Sequence, residues 1–221
     1  MKWEESRALT PLKREFLETF FEKNDLFYLT GGSALGIFYL DHRLSFDLDF
    51  FTTEEVNWQL VETAVRSVAK EIGAQYRSIT ASPYFHRFEL TRDDAREILD
   101  FVLEMAPQVD AEKETYGAIR VDTLREIMAC KICTLISRCE VKDLVDLYFL
   151  DKRGMKVVDH FDDARKKEGG LDPAMISFLL AQVQINEVPE YVLEPLKLTD
   201  LQQFVKELQV TLAGMSFPGE E

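Results

Sequence analysis

The spacing of apolar residues changes along the chain, and the change divides it. Over Pro11–Asn24, Leu12, Phe16, Phe20 and Phe21 recur on one side of a helical projection, which predicts an amphipathic helix. LFYLT (Leu26–Thr30) reads as a short strand running into Gly31 and Gly32, and Ser33–Leu40 as a short helix. SFDLDFF (Ser45–Phe51) alternates as a strand, and Glu54–Ile72 returns to helical spacing. Three further strands are predicted at Tyr76–Ile79, Tyr84–Leu90 and Ile98–Leu103. Asp122 is a suitable N-cap for the helix VDTLREIMACKICTLISR, and a second helix begins near Lys142. Beyond Gly154 the pattern is helix after helix: Val157–Lys167 stopped by Gly169-Gly170, a start at Asp172-Pro173, and TDLQQFVKELQV opened by Thr199. The fold class is α+β, a mixed sheet with flanking helices followed by a C-terminal helical bundle, with domains over 1–120 and 121–221.

Composition narrows the setting. With 221 residues, 46% hydrophobic and 30% charged, the chain can bury a sizeable core. No apolar run approaches the roughly 18 residues that span a bilayer, and MKWEESRALTPLKREF is too polar for a secretory signal. The expectation is a soluble, cytoplasmic protein with no membrane partner. Cys130, Cys133 and Cys139 are an odd set inside a helical pattern; with His42, His86 and His160 distant in sequence they read as structural thiols rather than a zinc site, and no disulfide-linked partner is expected. The net charge of −14 excludes a broad basic nucleic-acid surface, so an RNA partner would have to meet a local patch such as Lys152, Arg153 and Lys156, or Arg165, Lys166 and Lys167.

The chemistry gathers in LTGGSALGIFYLDHRLSFDLDFF (Leu29–Phe51). On a strand, Asp47 and Asp49 project from one face while Phe46, Leu48 and Phe50 project from the other. Two adjacent carboxylates repel unless a cation neutralises them, and such hard oxygen donors suit magnesium completed by substrate phosphates. Gly31 and Gly32, lacking Cβ, let backbone N–H groups approach a phosphate at the start of the following helix. Taken singly, each feature has a plain reading, a solvated strand edge and a simple turn. Further on, Leu124, Met128, Lys131, Leu135 and Arg138 share one helical stripe, so two cations sit among core-facing positions. Snorkelling of their stems is the plain explanation.

The strings GGSAL, HRLSFDLDFF and KICTLISRCEVKDLVDLYFL, in that order over roughly residues 25 to 150, resemble nucleotidyltransferases of the AbiEii/AbiGii toxin group, within the DNA polymerase β-like nucleotidyltransferase superfamily. The resemblance implies a catalytic core over 1–120 and a helical domain over 121–221 that contributes to the active-site cleft. It makes Asp47 and Asp49 metal ligands and supplies a third from a later strand, Asp100 in EILDFVLE. Arg43 and Ser45 match an R-x-S pattern, making Arg43 a partner of phosphate or of an active-site carboxylate, with a surface salt bridge as the alternative. Lys131 becomes a triphosphate cation, and Lys142, Asp143 and Asp146 match a KD-x-x-D element beside it. Gly31, Gly32, Ser33, Arg43, Ser45, Lys142, Asp143 and Asp146 form the implied nucleotide-binding set; Asp47, Asp49, Asp100 and Lys131 form the catalytic one. The implied activity is NMP transfer from an NTP, with two magnesium ions, to an acceptor such as the 3′ end of tRNA, in a toxin–antitoxin or phage-defence pair with a cognate antitoxin. A protein or small-molecule hydroxyl is an alternative acceptor, and a non-catalytic nucleotide-binding module on the same fold is the alternative class.

Overall fold

A computed structural model describes residues 2–216. They divide into two compact units: residues 2–105 with 112–123, and residues 106–111 with 124–216. The first is built on a seven-stranded mixed sheet ordered β3-β4-β5-β2-β1-β7-β6. Its strands are β1 (Tyr28–Thr30), β2 (Asp47–Thr52), β3 (Gln75–Ala81), β4 (Phe85–Arg92), β5 (Ala95–Leu103), β6 (Glu114–Tyr116) and β7 (Ile119–Val121). β2 pairs antiparallel with β1 and parallel with β5, and β4 and β5 form a hairpin across Asp93-Asp94.

Two helices of this unit, α1 (Pro11–Phe21) and α3 (Trp58–Glu71), have their starts fixed by side-chain caps. Thr10 Oγ1 accepts from the Lys13 amide, with Pro11 at the first helical position, and Asn57 Oδ1 accepts from the amides of Gln59 and Leu60. The Asn57 cap places the start of α3 later than Glu54. The core of the unit is aromatic. Phe16 and Phe20 of α1 meet Phe50 of β2 and Phe101 of β5, the last two rings stacked at 4.6 Å, and all four are fully buried. Each such ring contributes about 2–3 kcal/mol of hydrophobic burial, so one face of β2 is fastened to the interior. Phe46 does not share this role. It precedes the strand and is 61% exposed, so Leu48 and Phe50 alone anchor β2.

Between β1 and β2 the chain makes a single helical run, α2 (Gly31–Ala34) continuing as a π-helical turn over Leu35–Leu40. The run starts two residues earlier than Ser33 and ends at Asp41, whose φ of 51° is left-handed. That conformation is supported from outside, because the Asp41 carboxylate accepts from Ser6 Oγ at 2.9 Å and from the backbone and side chain of Arg7 at 2.7 Å each. Asp122 Oδ1 lies 2.7 Å from buried Lys113 Nζ, and the next helix opens at Leu124, two residues on.

The second unit is helical: α4 (Leu124–Ser137), α5 (Val141–Lys152), α6 (Phe161–Lys167), α7 (Pro173–Leu180) and α8 (Leu198–Ser216). The segment predicted as one helix over Val157–Lys167 is a 3-10 turn, Val157–His160, leading into α6. Residues 106–111 join this unit because buried Glu126 of α4 accepts from the amides of Val109 and Asp110, at 2.6 and 2.9 Å, while Lys167 donates to Pro107 O at 3.0 Å. The three cysteines form no disulfide among the described residues and are half-buried, and Cys133 Sγ donates to Ala164 O at 3.5 Å. No described helix is long and apolar enough to cross a membrane.

Candidate active site

β2 carries Asp47 and Asp49 on the face opposite Leu48 and Phe50. Its parallel register with β5 sets Asp49 directly beside Asp100, and its antiparallel register with β1 sets Asp49 beside Thr30 on the other side. Directly paired residues share a face. The result is a cluster in which one carboxylate oxygen from each of Asp47, Asp49 and Asp100 lies within 4.8 Å of the others. All donors are hard oxygens, and oxygens about 2.1 Å from a magnesium ion stand at most about 4.2 Å apart. A small side-chain adjustment therefore fits the three to one divalent cation. The Ser45 hydroxyl donates to Asp47 Oδ1 at 3.3 Å. The loop beneath is fixed by Lys13, whose buried ammonium donates to Ser45 O at 2.6 Å and pairs with Glu97 at 3.3 Å.

The glycine pair brings two side chains close to the turn. Gly31 has φ +66°, a region costly to residues with Cβ, and a Cβ there would stand 2.4 Å from Asp49 Oδ2. A Cβ on Gly32 would stand 2.4 Å from a terminal nitrogen of Arg43. The space that the missing Cβ atoms leave is thus filled by Asp49 and Arg43 rather than held open. Arg43 is 2% exposed and donates to Leu44 O at 2.8 Å, so the surface-salt-bridge alternative does not describe it. Ser33 Oγ donates to Thr30 O at 3.3 Å and accepts from the Asp49 amide at 3.5 Å, linking the turn to the acidic strand.

Arg87 joins the cluster without having been singled out from the sequence. It lies on β4 directly opposite Asp100, and its Nε and a terminal nitrogen donate to the two Asp100 oxygens at 2.7 and 2.6 Å. The bond to Asp100, reinforced by the charges of Asp100, Asp47 and Asp49, raises the Arg87 pKa further above its ordinary value. A signal was present. A two-residue loop at Asp93-Asp94 fixes the hairpin register, and counting outward from it pairs Arg87 with Asp100.

The second unit holds the other group of implied residues. Lys131 on α4 lies 3.0 Å from Asp143 Oδ1 and 2.6 Å from Asp146 Oδ2 on α5, and both carboxylates are fully buried. Arg138 adds two bonds to Asp143, at 2.8 and 2.9 Å. Burial alone would push the Asp143 carboxyl up, but the bonds from Arg138 and the charge of Lys131 outweigh it and hold the group below its usual value. Lys131 does not snorkel: its side chain is 5% exposed. Arg138, at 43%, does reach solvent. Lys142 stands apart from this group and pairs with Glu140 at 2.9 Å. The structure therefore gathers Gly31, Gly32, Ser33, Arg43, Ser45, Asp47, Asp49 and Asp100 in one unit, and Lys131, Asp143 and Asp146 in the other.

Comparison with known proteins places the chain by family and by fold. The family model described as nucleotidyl transferase AbiEii toxin, type IV toxin–antitoxin system, matches residues 15–214. A crystal structure from H. pylori, provisionally labelled a nucleotidyltransferase, aligns with a TM-score of 0.62 at 18% identity over 95% of each chain. JHP933 from Helicobacter pylori aligns with a TM-score of 0.61 at 18% identity, over 93% of this chain and 90% of the other. At such identity the likeness is one of fold. No curated protein matches the chain.

Proposed function

The chain belongs to the nucleotidyl transferase AbiEii toxin family of type IV toxin–antitoxin systems, and on that premise we propose that it transfers an NMP from an NTP to an acceptor hydroxyl, with the 3′ end of tRNA the favoured acceptor and a cognate antitoxin its partner. The observation that carries the reading is the convergence of Asp47, Asp49 and Asp100 on adjacent strands. Those three residues would hold magnesium, two ions in the full complex, which would supply positive charge to polarise the α-phosphate and to stabilise the departing pyrophosphate. Asp49 is held in place by the Ser33–Thr30 link and by its fit over Gly31. Asp100 readies the acceptor hydroxyl, either as a metal ligand or by taking its proton. Arg43, packed on Gly32, provides positive charge toward phosphate beside the turn. In the helical unit Asp143 and Asp146 fix the Lys131 ammonium, and the triphosphate role proposed for this lysine rests on the family resemblance.

The net charge of −14 favours an acceptor recognised through few phosphates. Incubating the protein with each α-labelled NTP, magnesium and total tRNA tests the whole reading. Label is expected on RNA, from one NTP more than the others, and lost with EDTA. Label on protein or on a small molecule would move the acceptor class, and saturable NTP binding without any transfer would favour a nucleotide-binding module.

A further inference from the structure

The acidic cluster contains its own cation, and the two partners of that ion pair differ in freedom. The Asp100 side chain is 8% exposed and fixed within the sheet, whereas that of Arg87 is 40% exposed. The anion is built in; the cation can leave. In the same pose its guanidinium lies 5.5 Å from the centre of the Phe85 ring, a contact that does not depend on Asp100.

Charge decides what would make it move. Arg87 offsets the charge of Asp100, the carboxylate that it bonds through both oxygens. A metal bound by Asp100 competes with Arg87 for the same oxygen lone pairs and repels its positive charge, while a carboxylate has lone pairs enough to keep one bond to arginine. Resting on the metal-site reading above, we infer that Arg87 is an exchangeable counter-ion: its guanidinium neutralises Asp100 until a divalent cation takes that carboxylate, then pairs with a phosphate of the incoming nucleotide. Arg87 is thus a positioning residue for the metal and a binding residue for the nucleotide, and its removal moves the two affinities in opposite directions.

The test uses the full chain. Mn2+ binding without nucleotide is measured by electron paramagnetic resonance for wild type, Arg87→Gln and Arg87→Lys, and binding of a non-hydrolysable NTP with saturating Mg2+ is measured by calorimetry. Arg87→Gln is expected to bind Mn2+ roughly tenfold tighter, having lost a competing charge, and the nucleotide several-fold more weakly. Arg87→Lys, which keeps the charge but not the paired bonds, is expected between the two. A folded Arg87→Gln protein whose affinities are unchanged, or both weakened, overturns the exchange and leaves a structural ion pair. Wild type provides a reading independent of any variant: the Arg87 Nε–H resonance should shift as Mg2+ is added, and a static resonance while the acidic site fills overturns the inference. If wild type binds no divalent ion, the metal-site reading itself fails, an outcome distinct from wild-type binding that Arg87→Gln does not change.

Discussion

Asp49 stands where three constraints meet: the register with Asp100, the register with Thr30, and the space over Gly31. Asp49→Asn keeps the shape and removes one of three mutually repelling charges, while the core side of β2, Leu48 and Phe50, is untouched. We expect a melting temperature close to wild type, weaker Mn2+ binding and a loss of transfer of about 10²-fold or more, the usual scale for a preorganised charge. Full activity in a folded Asp49→Asn protein would remove the cluster from the mechanism. Gly31→Ala tests the same spot from the other side. The new methyl meets Asp49 Oδ2 at 2.4 Å and forces a residue with Cβ to hold φ +66°, which costs about 1–2 kcal/mol. Calorimetry should show that loss of stability together with weakened Mn2+ binding; unaltered metal affinity would mean that Asp49 has room to give way. At this scale the sequence was readable where one residue type answers one constraint, as with the carboxylates and the glycines. Arg87 taken alone carried no meaning, because an arginine on a strand acquires it only from the residue across the hairpin, which the Asp93-Asp94 loop pairs with it.

Among the elements, α4 and α5 are joined by ion pairs whose carboxylates water does not reach. Lys131 is locked between Asp143 and Asp146, so Lys131→Met leaves two buried carboxylates short of a cation. Truncating one member of a buried network costs about 3–5 kcal/mol. We expect a clear drop in the urea midpoint along with loss of transfer, and Asp143→Asn/Lys131→Met to recover part of the stability without the activity. A Lys131→Met protein as stable as wild type would contradict the pinning. The α4–α6 contact reports through pH. Bonds from Arg125 and Lys166 hold the Asp163 carboxyl down to about 2, from an ordinary 3.8. A depressed carboxylate lends stability above its unfolded value, and that stability is lost as pH falls from about 3.8 toward about 2. Arg125→Ala should therefore flatten the fall in melting temperature over that window; an unchanged acid limb would place the sensitivity elsewhere. Element legibility followed length. The long helices and the alternating strands carried enough period to be found, whereas β6 and β7, three residues each, are too short to show one. The π turn over Leu35–Leu40 has no sequence period of its own, and Phe46 continues the β2 alternation although the strand starts one residue later.

For the molecule as a whole, charge sets the terms of any encounter with RNA. A surface carrying −14 repels a polyanion beyond the patch it docks on, so few phosphates are neutralised. Each contact adds about −0.7 to the slope of log affinity against log salt for single-stranded acceptors, and we expect a slope no steeper than about −3 for the tRNA end. A much steeper dependence in filter binding would indicate a broad basic face that the composition argues against.

The parallel pairing of β2 with β5 also sets a timetable. Antiparallel neighbours can close by a tight turn, but between Asp49 and Asp100 the chain must first lay down α3, β3 and β4, and closing so long a loop is entropically costly and slow. No stretch of nascent chain ending before β5 contains the three-carboxylate cluster, however well its β1–β2 ribbon has formed. The three-carboxylate cluster therefore forms late and as a single event, when β5 slots in beside β2.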